Sequence, residues 1–292
     1  MRILDKSSTA LPLSALGFSP GNLKLINNAI HRPHGLILVS GPTGSGKSTT
    51  LFSALNTIYS PEKKILTVED PVEYNLDGVV QVPAREEIGL TFARTLRAFL
   101  RQDPDIIMVG EIRDSETAGI AIQAALTGHL VLSTIHTNDA SSCVTRLANF
   151  EIDPFLIADA VQLLIAQRLI RRICKDCKTS VEPTDEQIEL LNSYKIDTSN
   201  LQLFQGKGCP KCNGKGLKGR TGIHELLVLD NEIKELILKD ASAYEIKEAS
   251  MNNGMRTLIQ DGLEKVAMGI TTFEEVQDTV VDDKLSDKGV VM

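Results

Sequence analysis

Residues 36 to 51 read Leu-Ile-Leu-Val-Ser-Gly-Pro-Thr-Gly-Ser-Gly-Lys-Ser-Thr-Thr-Leu, and the rest of the chain can be placed relative to them. Four consecutive apolar residues, Leu36 to Val39, fit a buried parallel strand. A turn from Gly41 to Gly46 follows, and Lys47, Ser48 and Thr49 open an apolar-periodic segment that predicts a helix. The pattern G-x-x-x-x-G-K-[ST] therefore has the context it requires, a strand before and a helix after. Its glycines let successive backbone N–H groups turn inward and hold phosphate oxygens at a positive helix N-terminus. Lys47 can reach the outer phosphates, and the Ser48 hydroxyl is placed to ligate Mg²⁺. The candidate nucleotide-binding residues are Gly41, Pro42, Thr43, Gly44, Ser45, Gly46, Lys47, Ser48 and Thr49.

Upstream, Ser19-Pro20 reads as the cap and first position of a helix through Leu23, Leu25, Ile26 and Ile30. Met1-Arg-Ile-Leu reads as the end of a strand whose partners lie outside this chain. Downstream, a second buried strand, Lys64 to Val68, runs into Glu69-Asp70-Pro71-Val72-Glu73. Carboxylates at a strand's carboxyl end suit the Mg²⁺ surroundings or the activation of water. An acidic turn broken by Pro71 is the plainer alternative. Residues 91 to 103 predict an amphipathic helix with Phe92, Leu96, Phe99 and Leu100 on one face and Arg94, Arg97 and Arg101 on another. Those arginines form a solvated face, or else supply a transition-state charge or a subunit contact.

The next strand, Ile106 to Val109, is followed by Gly110-Glu111-Ile112-Arg113-Asp114. An apolar strand ending in an acid is the second half of a P-loop ATPase site. Gly110 stands where many ATPases carry an acid, so Glu111 takes the metal role alone. A helix from about Ser115 to Thr127 returns the chain to a further strand, Leu130 to Ile135, which ends in His136-Thr137-Asn138. His136 is either a sensor of the terminal phosphate or a satisfied buried histidine. His129, at the other end of that strand, is ambiguous. Strands alternating with helices at this spacing predict a mainly parallel sheet covered on both faces.

Two C-x₂-C pairs follow, Cys174/Cys177 and Cys209/Cys212, separated by residues 178 to 208. Paired knuckles of this kind predict a closed, structural tetrahedral Zn²⁺ site, with redox disulfides as the alternative. Gly206, Gly208 and Gly214 supply the loop geometry, and a short helix, Glu186 to Tyr194, sits between the knuckles. Cys143 is left over as an unpaired thiol. Arg168, Arg171, Arg172, Lys175 and Lys178 form a basic patch suited to anionic headgroups or an acidic segment. Gly214 to Gly222 reads as a hinge, residues 225 to 277 as four short helices, and the residues from Asp278 onward as a frayed tail.

Composition fits this reading. The 292 residues are 42% hydrophobic and 24% charged, as in an ordinary globular protein. A net charge of −7, no Trp and only 4% aromatics argue against a nucleic-acid motor, which needs a basic groove and stacking platforms. No apolar run approaches a membrane span and no signal-peptide core precedes the first helix, so a cytoplasmic protein is expected.

Four motifs in order resemble those of the type II secretion and type IV pilus assembly ATPases: Gly41 to Ser48 (Walker A), Thr67 to Glu73 (Asp box), Met108 to Asp114 (a Walker B with glycine) and Thr127 to Asn138 (His box). The tetracysteine module is similar to that of assembly and secretion members, whereas retraction motors generally lack it. The resemblance covers about residues 1 to 277. It implies a RecA-like α/β P-loop ATPase core, residues 19–168, preceded by a remnant of an N-terminal domain and linker, 1–18. A tetracysteine zinc module, 169–224, and a C-terminal helical domain and tail, 225–292, would follow. It further implies that Lys47 and Ser48 bind phosphate and Mg²⁺, that Glu111 supports Mg²⁺, and that Glu69, with Glu73 still open, activates water. His136 would sense the γ-phosphate, and Arg113 joins the catalytic candidates. The resemblance implies ATP, Mg²⁺ and Zn²⁺ as cofactors and a homo-hexamer with sites between subunits. The hexamer would power pilus assembly or secretion from the cytoplasmic side, bound to the inner membrane through platform proteins. Family members carry a preceding domain that contributes arginines across the interface, of which Arg2 would be the last trace. A nucleotide-binding fragment with little turnover is the competing expectation.

Overall fold

The computed structural model of the chain describes residues 11–280; the expected Met1 to Leu4 strand, the Arg2 trace and most of the tail lie outside them. Ser19 caps the first helix, α1 (Pro20–Ile30), by accepting from the Asn22 N–H, with Pro20 at its first position. Strand β1 (Gly35–Ser40) and helix α2 (Lys47–Ile58) flank the phosphate loop. Strands β2 (Ile65–Glu69), β3 (Val80–Pro83), β4 (Ile106–Val109) and β5 (Leu130–Ile135) follow, with helix α3 (Phe92–Phe99) before β4 and α4 (Ser115–Leu126) after it. Next come α5 (Ser142–Asn149), α6 (Pro154–Ala160) and the long strand β6 (Val161–Ile173). A two-stranded antiparallel hairpin of β7 (Lys178–Val181) and β8 (Leu203–Gly206) brackets α7 (Asp185–Ser193). Strand β9 (Leu217–Val228) and helices α8 (Asn231–Leu238), α9 (Ala243–Asn252), α10 (Leu258–Ala267) and α11 (Phe273–Thr279) complete the chain.

The main sheet has the order β3-β2-β4-β5-β1-β6-β9, and β1 to β6 pair in parallel. β1, β2, β4 and β5 are buried at every position, as strands covered on both faces must be. Alternation splits them. Ile37, Val39, Ile65, Ile106, Met108, Leu130 and Leu132 pack with Ile26 and Ile30 of α1 and Leu51, Phe52, Leu55 and Ile58 of α2. Leu36, Leu38, Leu66, Val68, Ile107 and Val109 turn to the other face, the side of α3 and α4.

The chain forms two compact units. The first comprises the residues up to Gln167 with Glu225–Met255; the second comprises Arg168–His224 with the residues from Arg256 onward. The helices expected as one body after residue 224 are therefore divided. Leu226 of β9 joins the core of the sheet and α8 packs on α6, whereas α10 packs on α11 and meets β8. The stretch from Gly214 to Gly222, expected as a hinge, instead leads into β9 at Leu217.

Inside the second unit Asp261 is buried and accepts from the His224 backbone N–H at 2.8 Å, while Lys265 Nζ lies 2.5 Å from the same carboxylate. One helical turn separates the two charges. Lys265→Met is expected to lower the unfolding free energy of this unit by about 3 kcal/mol, because it strands a buried carboxylate. Chemical denaturation followed through this unit checks it.

Candidate functional site

Parallel pairing sets the carboxyl ends of β1, β2, β4 and β5 at one level: Ser40 lies opposite Ile135, and Val68 opposite Val109. Ligands of open α/β sheets sit beyond such ends. Beyond β1, the phosphate loop turns through left-handed glycines at Gly44 (φ 82°) and Gly46 (φ 89°), a conformation that a side chain would strain. Ser19, Thr91 and Asp114 cap α1, α3 and α4 with their side chains, but no side chain caps α2, whose N-cap is Gly46. That leaves the positive end of α2 to an external anion. The Lys47 ammonium is held over the loop by the carbonyls of Gly41 (2.8 Å) and Pro42 (3.1 Å). The donor set therefore fits a nucleotide phosphate chain.

Beyond β4, Gly110 and Ile112 are tied to β5 from both sides of Glu111. Thr134 Oγ1 donates to the Gly110 carbonyl at 2.7 Å, and the Ile112 N–H donates to the Thr134 carbonyl at 2.9 Å. Glu111 then meets Arg113 Nε at 2.8 Å and His136 Nε2 at 3.3 Å through one oxygen, while Arg113 reaches Asp70 at 3.8 Å. Burial alone would push the Glu111 carboxyl up. The hydrogen bond and charge of Arg113, together with His136 and Lys47, outweigh it and hold Glu111 below the ordinary carboxylate range. His136 is exposed, so the buried-histidine alternative falls; Asp114 caps α4 through the Thr117 N–H and stays out of the cluster. His129 bonds the Ala124 carbonyl at the opposite end of β5.

At the end of β2, Glu69 is 4% exposed, and burial raises its carboxyl above the ordinary range. Its Oε1 accepts from Thr67 Oγ1 at 2.6 Å and from Gln81 Nε2 at 3.0 Å. Glu73 acts on it as a like charge from the following loop. A side chain at Gly110 would press on this strand, since its Cβ would lie 3.2 Å from the Val68 carbonyl and 3.3 Å from Glu69 Cα.

Sequence reasoning missed Gln167 of β6. Its Oε1 accepts from Thr50 Oγ1 at 2.6 Å and its Nε2 donates to the Ser45 carbonyl at 2.8 Å, which fastens the phosphate loop to the start of α2. Thr67, Gln81 and Thr134 were missed as well. The arginine face of α3 already has a counter-charge in this chain, because Arg97 pairs with Glu116 at 2.6 Å. In the basic patch Arg171 is bound to Glu275, and Lys178 lies over the Phe204 ring and donates to the Gly269 carbonyl. The leftover thiol, Cys143, is buried and pushed up to about 11.

In the second unit the Sγ atoms of Cys174, Cys177, Cys209 and Cys212 lie within 4.8 Å of one another. Cys174–Cys209 and Cys177–Cys212 are 3.9 Å apart and Cys209–Cys212 3.7 Å. Four thiolates at about 2.3 Å from Zn²⁺ must stand about 3.8 Å from one another, whereas a disulfide needs about 2.0 Å, so the donor set fits the metal. The N–H groups of Cys209 and Gly216 both point at Cys212 Sγ, at 3.2 Å, and stabilise its thiolate. The two arms of the second knuckle run close together: a Cβ at Gly208 would lie 2.5 Å from the Gly214 carbonyl. Cys174→Ser is expected to abolish stoichiometric zinc and lower the thermal midpoint; metal analysis and melting of the same sample check both.

The chain matches the model of the type II/IV secretion system protein family over residues 1–278. It is 52% identical over 276 residues to the type IV pilus assembly ATPase PilB of Thermus thermophilus, covering 94% of this chain and 31% of that protein. It is also 52% identical over 280 residues to the type II secretion system ATPase E of Vibrio cholerae, covering 94% of this chain and 54% of that protein. Among solved structures it is similar to the pilus retraction motor PilT with bound ADP (TM-score 0.70, 30% identity, 94% of this chain and 68% of that one). The Legionella pneumophila ATPase DotB is a further neighbour (TM-score 0.66, 26% identity, 92% of this chain and 64% of that one). No helix among the described residues is long and apolar enough to cross a membrane. With its ordered motifs, parallel sheet and tetracysteine cluster, the chain belongs to the type II/IV secretion system protein family.

Proposed function

We propose that this chain hydrolyses ATP and that the hydrolysis drives type II protein secretion or type IV pilus assembly. The observation that carries this reading is the convergence of Glu111, Arg113 and His136 beyond the strands on one side of the phosphate loop, with Glu69 buried at the end of β2. The motif order and the relatives' names support it.

In this reading the residues from Gly41 to Thr49 hold the triphosphate on backbone N–H groups and Lys47. Mg²⁺, carried by Ser48 and Glu111, would offset charge on the phosphate oxygens. Glu69 orients a water and takes its proton as the water oxygen bonds to the γ-phosphorus; the bond from that phosphorus to the bridging oxygen breaks, releasing ADP and phosphate. Arg113 restrains Glu111, and His136 senses the terminal phosphate. Cys174, Cys177, Cys209 and Cys212 hold a structural Zn²⁺. The working assembly is a homo-hexamer acting on the cytoplasmic side, bound to inner-membrane platform proteins, with residues 19–168 as its ATPase core and the cysteine-bearing stretch 169–224 as its zinc module.

Lys47→Ala is expected to weaken nucleotide binding and reduce turnover to background. Glu69→Gln is expected to spare binding and lower kcat by about two to four orders of magnitude. Nucleotide titration and phosphate release measured on the same preparations check both. Turnover that survives in Glu69→Gln would move the base to Glu73 or Glu111. A rate per subunit that rises with protein concentration is the signature of sites completed by a neighbouring copy.

A further inference from the structure

The Gln81 side-chain amide has its orientation fixed by the backbone. Its Oε1 accepts the Leu76 N–H at 2.7 Å, and its Nε2 donates to the Tyr74 carbonyl at 2.8 Å. An amide has one accepting and one donating end, so a flip would set like against like at both backbone partners. The remaining Nε2 proton must therefore face Glu69 Oε1, at 3.0 Å. Thr67 Oγ1, two residues earlier on β2, donates to the same oxygen at 2.6 Å. One carboxylate oxygen thus receives two donors, an arrangement that suits the ionised form and opposes protonation there.

We propose that Thr67 and Gln81 are positioning residues for the reaction: together they fix the rotamer of Glu69 and keep its buried carboxylate ionised, and so available to take a proton. The proposal rests on Glu69 being the water-activating carboxylate. Burial works against ionisation, and the two side-chain donors, larger in effect than the Glu73 backbone N–H that also bonds the carboxylate, oppose burial without adding any charge. Glu73, on the loop after β2, is the charged group acting directly on Glu69. Glu111, Arg113 and Asp70 pair among themselves, Lys47 of α2 lies against the Gly41 and Pro42 carbonyls, and Arg94 and Arg97 of α3 bond the Gly89 carbonyl and Glu116. β3 faces Glu69 with the neutral Gln81, and β4 faces it with the Gly110 backbone. The same amide also links the carboxylate to the 74–76 loop.

The test is the titration of Glu69 in the full chain by carboxyl-carbon NMR, its resonance assigned by its loss in Glu69→Gln. Thr67→Val keeps the volume and removes one donor; Gln81→Met removes the other; Thr67→Ser restores a hydroxyl. The midpoint is expected to rise by about one pH unit in each of the first two, since a hydrogen bond to a charged group is worth about that much, and to return in Thr67→Ser. Because the ionised form is the active one, the acidic limb of the kcat profile should move upward by the same amount, with KM for ATP unchanged. An unchanged midpoint in both donor-removing variants overturns the proposal. Turnover retained in Glu69→Gln overturns the base assignment instead, and the titration reads the positioning independently of it.

Discussion

Four buried parallel strands that end at one level constrain everything else in the site. A parallel ladder spaces its hydrogen bonds evenly, so neighbouring strands advance together, and residues at or just past the carboxyl ends of β1, β2, β4 and β5 emerge side by side. The phosphate loop, Glu69, Glu111 and His136 are far apart in sequence but need no long loop to meet. Short polar ties then remove the remaining freedom. Thr134 holds both peptide groups around Glu111, and Gln167 holds both ends of the turn from Ser45 to Thr50. Each tie starts from a strand that is already buried, which costs less ordering entropy than fastening one loop to another.

The two carboxylates of the site are treated in opposite ways. Glu111 is given positive partners and is held ionised below the usual range; Glu69 is given burial and neutral donors and sits above it. Environments that push two acids apart separate their chemical tasks. A carboxylate that stays ionised throughout suits the support of a cation, and one whose proton affinity is raised suits proton uptake from water. Interchanging the neighbours would blunt both, since an arginine at Glu69 would lower its basicity.

The phosphate loop, the four buried strands and the four thiols were legible because each is a local pattern: a continuous apolar run, a fixed glycine spacing, a C-x₂-C turn. β3 was not, being a short edge strand with an exposed Val80 and a terminal Pro83. β9 was hidden by the glycines around its start, which read as a hinge, and its burial is concentrated in the second half of the strand. Gln167, Thr134 and Gln81 could not be found by spacing at all. Thr50 and Gln167 are 117 positions apart, and only the sheet order makes them neighbours. The division of the last four helices between two units escaped for the same reason, since periodicity reports which face of a helix is apolar and not which body covers it.

Gly110 joins these observations. Many P-loop ATPases carry an acid at the corresponding place, and here that place is closed. A Cβ would stand at 3.2–3.3 Å from the backbone of β2 at Val68 and Glu69, tighter than ordinary contact and against groups held in a ladder. The Gly110 N–H donates to the Val68 carbonyl at 2.8 Å, so the strands cannot part to make room without losing that bond. A carboxylate there would also add a second like charge beside a buried acid that Glu73 already opposes. The glycine and the buried glutamate on the adjacent strand are thus one solution: the sheet accommodates an acid at the end of β2 because β4 gives up its side chain at the point of closest approach.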